Sequence, residues 1–158
     1  PRFFKALAEE TNETARDYFL ISLLTGARRS NVLAMRWEEI DLEQEVWTIP
    51  ETKTSELHRV PLVREALHIL KLRKEKNTEN NSWIFPSHGK TGHLIEPKKA
   101  WKRILERANI ENLRIHDLRR SLGSWLAMTG ANLSIIGKIS LTKTSAPLPF
   151  MRDYNLIP

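Results

Sequence analysis

Leu23-Leu24-Thr25-Gly26-Ala27-Arg28-Arg29-Ser30-Asn31-Val32-Leu33-Ala34-Met35-Arg36-Trp37 sets two adjacent arginines between two apolar helical patterns. Upstream, Ala15, Tyr18, Phe19, Ser22 and Leu23 recur at helical spacing behind a cap at Asn12. Leu20, Ile21 and Leu24 make that segment apolar nearly all round, which predicts a central, buried helix. Gly26 supplies its C-terminal stop. A second helix is predicted from about Ser30 to about Trp37. Arg28 and Arg29 thus stand at the mouth of a new helix, where free backbone N–H groups and the positive dipole end favour an anion. Guanidinium groups there add planar, bidentate donors for phosphate. On this stretch alone, a solvated arginine pair in a turn is the more ordinary reading.

Composition narrows the partner. The chain has 158 residues, 41% of them hydrophobic and 28% charged, which is one globular domain with a core of useful size. No apolar run is long enough to cross a bilayer and no signal-peptide pattern opens the chain, so a cytoplasmic protein is expected. The absence of cysteine excludes disulfides, thiolate zinc sites and a cysteine nucleophile. Lys and Arg number 25 against 19 acidic residues, a net charge of +6. That excess points to a polyanion, and to nucleic acid over a membrane because no basic amphipathic anchor helix is visible.

The remaining pattern is mainly helical, with one small antiparallel sheet. Arg2 to Leu7 reads as a short helix. Glu45 to Pro50 and His58 to Leu62 alternate like strands around a polar turn, giving a hairpin. Val63 to Lys76 returns to helix, and Trp83-Ile84-Phe85 is a brief apolar stretch. Pro97 opens another helix, with Trp101, Ile104, Leu105 and Ala108 in its apolar stripe. Ile115 to Met128 is predicted as a strong helix, and a last one is capped by Asn132.

Two further motifs carry chemistry. In Arg114-Ile115-His116-Asp117-Leu118-Arg119-Arg120, His116 and Arg119 are three apart and share a helix face. Together they can hold a phosphate and exchange protons with its oxygens; a surface ion-pair role is the plain alternative. Lys53, on the tip of the hairpin, can be delivered to one point in a groove as a proton donor, or can simply be solvated.

Taken in order, Leu23 to Trp37, Lys53 before His58-Arg59-Val60-Pro61-Leu62, and His116-Asp117-Leu118-Arg119-Arg120 resemble the catalytic domain of the tyrosine recombinases, the phage-integrase family. The resemblance runs from about Arg2 to Ile139. It places Arg28 as the first catalytic arginine, Lys53 as the hairpin lysine, His116 as the histidine and Arg119 as the second arginine. Asn31 departs from the family, where glutamate or aspartate is commoner. The implied reaction is a transesterification on double-stranded DNA, in which a tyrosine hydroxyl attacks a phosphodiester, forms a 3′-phosphotyrosyl link and frees a 5′-hydroxyl. A second strand then reverses the step. No cofactor or metal is expected, in keeping with the lack of a carboxylate cluster in these boxes. Other protomers assembled on the DNA are expected in a full-length protein. The resemblance also implies an N-terminal DNA-clamping domain, which is expected to lie outside this stretch of sequence.

Residues 1–144 are expected to form the catalytic domain, and 145–158 an atypical tail. Thr142 stands where the family carries His or Trp, and the nucleophile's slot falls near Phe150 and Met151. Tyr154 is the candidate nucleophile by default, about three residues late and behind Pro147 and Pro149, which discourage a presenting helix. One permissible codon set for Pro147 to Asp153, read from the last base of its first codon, translates as T-A-I-Y-A-R, a segment like the family's nucleophile motif. The tail is therefore expected to be frameshifted and the chain inactive in this form. The competing readings are a DNA-binding module that does not cut, a type IB topoisomerase-like enzyme and an unrelated RNA-binding helical domain.

Overall fold

The computed structural model describes residues 2–50 and 57–118. Among these residues five α-helices and three strands follow one another: α1 (Arg2–Ala8), α2 (Glu13–Thr25), α3 (Arg29–Leu33), β1 (Ile40–Asp41), β2 (Val46–Ile49), β3 (His58–Pro61), α4 (Arg64–Lys76) and α5 (Lys98–Ala108). The predicted mainly helical class with a small antiparallel sheet is the one observed.

Helix α2 forms the centre, as its all-round apolar pattern requires. Asn12 Oδ1 accepts the Ala15 N–H at 3.0 Å, satisfying one of the orphan donors of the first turn. Gly26 ends the helix in the left-handed region (φ 59°, ψ 15°), a conformation that costs a side-chain-bearing residue strain. Tyr18, Phe19, Leu20 and Ile21 are all essentially closed to solvent. The Tyr18 ring packs edge-on to Phe85 (5.8 Å between centroids), and Phe19 lies 5.0 Å from Trp101 of α5. Helix α4 is tied to α2 by Arg73. Its guanidinium donates to Asp17 Oδ2 at 2.9 Å and to the Ile84 carbonyl at 3.0 Å. Both charges are largely buried, so the pairing fixes the register of α4 on α2 more than it adds stability.

Two elements differ from the sequence reading. The second helix stops at Leu33 rather than Trp37. Beyond Met35 the backbone is taken over by tertiary pairing. Ile84 N–H donates to the Met35 carbonyl, Trp37 N–H donates to the Ser82 carbonyl (both 3.0 Å), and Arg36 forms a bridge with Trp83 while its guanidinium stacks on that ring at 4.2 Å. The sheet also has a third strand, in order β1-β2-β3, all antiparallel. With two residues, β1 is too short for alternation to reveal it. It is joined to β2 by a turn in which Asp41 Oδ1 accepts the N–H groups of Glu43 and Gln44. Trp47, Ile49 and Val60 face the core from β2 and β3.

The helices predicted at Ile115 to Met128 and after Asn132 lie outside the described residues, save for the opening of the first. None of the described helices is long and apolar enough to cross a membrane.

Candidate active site

The turn that presents Arg28 is built locally. Thr25 Oγ1 donates to the Ile21 carbonyl at 2.7 Å and accepts the Ala27 N–H at 3.3 Å, while Gly26 N–H closes on the Ser22 carbonyl at 3.1 Å. Arg28 then turns extended (φ −63°, ψ 140°), and its carbonyl receives the N–H groups of Asn31 and Val32 to start α3. Its side chain is exposed and has no hydrogen-bond or ion-pair partner among the described residues. The expected dipole contribution needs correction, because α3 is only five residues long. Anion attraction here rests on guanidinium charge rather than on a helix end.

Arg29 differs from its neighbour. It pairs with Glu96 at 2.9 Å, and Glu96 also takes Lys98 Nζ at 2.9 Å. Lys98 and Arg29 together hold the Glu96 carboxyl below its ordinary value. Of the two arginines, Arg28 is the one without a paired carboxylate among the described residues.

His116 arrives from the other side of the chain. Trp101 Nε1 donates to the Leu113 carbonyl at 3.1 Å, anchoring the incoming segment to α5. Asp117 Oδ2 accepts the Arg114 N–H at 2.9 Å, the back-bonding half of a capping box. Leu118 is buried in the core. With Leu118 inward, His116 is left more than half exposed, its Nε2 3.4 Å from Asp117 Oδ1. Arg28, Arg29, Ile115 and His116 line one cavity of about 280 Å³, floored by Tyr18 and Ser22 of α2. A larger hollow of about 500 Å³, around Arg73, Trp37 and Trp83, holds none of the predicted site residues.

The structure thus brings Arg28 and His116 together. Lys53, Arg119 and Tyr154 lie outside the described residues, although Ile49 and His58 pair across the strands that flank the Lys53 segment. The sequence reading missed Tyr18 and Ser22, which it took for core. They are core, and they also face the cavity. Their four-residue spacing on the helix that delivers Arg28 was the available signal.

Comparison with known proteins bears on this arrangement. Residues 1–140 match the family described as the phage integrase family. The chain belongs to the phage integrase family. Prophage integrase IntF of Escherichia coli K12 is 31% identical over 164 residues, covering 97% of this chain and 35% of that protein. The integrase of Salmonella phage P22 is 32% identical over 150 residues, covering 86% and 38%. The chain therefore spans little more than a third of these relatives. Among solved structures, the catalytic domain of bacteriophage HP1 integrase superposes with a TM-score of 0.63 at 19% identity, covering 98% of this chain and 82% of that one. XerH recombinase, in a pre-cleavage complex with its difH substrate, gives 0.68 at 24%, covering 98% and 47%. The phage-integrase match takes in Arg28, Lys53, His116 and Arg119 and ends before Tyr154.

Proposed function

We propose that this chain is the catalytic domain of a site-specific tyrosine recombinase of the integrase type, which binds double-stranded DNA and is built to cleave and rejoin its strands. The observation that carries the reading is the meeting of Arg28 and His116, distant in sequence, in one cavity inside a phage-integrase fold. Arg28 and Arg119 are assigned to the non-bridging oxygens of the scissile phosphate, where they offset the extra negative charge of the pentavalent transition state. His116 donates to the same oxygens or moves a proton there, and Lys53 protonates the departing 5′-oxygen. The tyrosine oxygen forms the P–O bond and its proton passes to His116 acting as base, while the P–O5′ bond breaks; the reverse step restores the phosphodiester. The net charge of +6 and the complex of the similarly folded Tn1549 transposon integrase with circular intermediate DNA support a DNA substrate.

A second reading, a domain that holds DNA without cutting it, is favoured by the tail, where Pro147 and Pro149 stand in the segment that must present Tyr154. We assign the chain this inactive form. Incubation with a nicked duplex is expected to give salt-sensitive binding and no denaturation-resistant protein–DNA adduct. An adduct that forms, and is lost in Tyr154→Phe, makes Tyr154 a working nucleophile and removes the second reading.

A further inference from the structure

Tyr18 and Ser22 stand one helical turn apart on α2, and both side chains are buried, at 0% and 7% exposure. Neither the Tyr18 hydroxyl nor the Ser22 hydroxyl has a hydrogen-bond partner among the described residues. They lie near each other and near the Arg29 guanidinium, without the geometry of a bond to either. A buried hydroxyl left in this way bears the full cost of its desolvation, so folded proteins rarely keep one without use. Packing does not explain the Tyr18 oxygen. The ring contacts with Phe19 and Phe85 involve the aromatic faces and edges alone, and phenylalanine would supply them.

Both residues line the cavity that also holds Arg28, Arg29 and His116. We infer that the Tyr18 and Ser22 hydroxyls are donors to an oxyanion of the phosphate class held in this cavity by Arg28 and His116, an inference that rests on the proposed phosphate site. The chemistry matches the surroundings. A hydroxyl that donates to an anion makes a charge-assisted bond, about twice as strong as a neutral one. Burial pushes the Tyr18 phenol above its ordinary value, against the opposing pull of Ser22 and Arg29, so it stays protonated and serves as a donor. The contact requires the cavity to close on its ligand, as sites of this kind do when hydrogen bonds that are long in the free protein tighten on binding.

The experiment compares the full chain with Tyr18→Phe, Ser22→Ala and Arg28→Ala. Thermal unfolding is followed in sodium chloride and in inorganic phosphate at matched ionic strength, and binding of a short duplex is measured by fluorescence anisotropy. Phosphate stabilises the parent chain in proportion to its affinity for the folded state. Tyr18→Phe is expected to unfold at an equal or higher temperature in chloride, because it removes an unpaired buried group. It is also expected to lose most of the phosphate-induced rise and to bind the duplex about tenfold more weakly. Ser22→Ala should follow in the same direction, and it keeps the test open should Tyr18→Phe unfold. If Arg28→Ala abolishes the phosphate effect while both hydroxyl variants retain it in full, the inference is overturned and the phosphate site stands. If Arg28→Ala leaves the phosphate effect intact, the site itself is wrong and the inference falls with it.

Discussion

Replacing Arg28 with alanine should weaken DNA binding alike for any duplex sequence, and the size of the loss follows from its surroundings. The guanidinium carries no ion pair among the described residues, so its whole charge is available to a phosphate. A hydrogen bond to a charged group is worth about 1.5–3 kcal/mol, which is roughly a tenfold to hundredfold loss of affinity. One phosphate contact fewer also lowers the slope of log affinity against log salt by about 0.9. Between 50 and 200 mM salt that slope amounts to a factor of about 3.5, so the deficit of Arg28→Ala narrows by about that much as salt is raised. Glu96→Gln gives the opposite sign. It releases Arg29 and Lys98, both 2.9 Å from the Glu96 carboxylate, and should tighten binding and steepen the slope. Fluorescence anisotropy with two unrelated duplexes at four salt concentrations measures both quantities. An Arg28→Ala protein with unchanged affinity and slope, or a Glu96→Gln protein that binds more weakly, refutes the assignment of Arg28 as the free cation of the site.

Glu10 gives a pH test. Its carboxylate is closed to solvent and takes two hydrogen bonds from Arg103. Burial alone would raise its pKa, but the Arg103 and backbone Asn12 hydrogen bonds outweigh it and leave the group below its ordinary 4.5. The stabilisation is therefore fully present above that ordinary value and is lost as pH falls through the lower, folded-state one. The Tm gap between the parent chain and Glu10→Gln should be constant from pH 7 to about 5.5 and shrink below about pH 4.5; a gap that widens on acidification contradicts this. Trp101→Phe removes the donor to the Leu113 carbonyl, at a cost of about 1–3 kcal/mol or a fall in Tm of about 2–10 °C, and frees the segment that carries His116. The expected sign is a His116 imidazole NMR signal broadened or shifted in the variant, and an unshifted, equally sharp signal would separate the anchor from the site.

The residues that read correctly from the sequence are those whose signal is local. Asn12, Gly26 and the apolar run between them specify α2 through capping and backbone conformation, without reference to the rest of the chain. The period of two in Glu45 to Pro50 and His58 to Leu62 did the same for the hairpin, whose strands run Val46–Ile49 and His58–Pro61, and the order of the three motifs was enough to point to its family. Tertiary structure decided what depends on distant partners. Helix α3 ends early because residues 82–84 claim the backbone at Met35 to Trp37, and nothing within that segment announces it. β1 exists only because β2 lies beside it. Arg28 and Arg29 are equivalent in sequence, and Glu96, far along the chain, pairs with one of them and not with the other. Tyr18 and Ser22 look like any buried helix positions until Ile115 and His116 are laid against α2, because a cavity belongs to the surfaces that enclose it and to no one of the segments that line it.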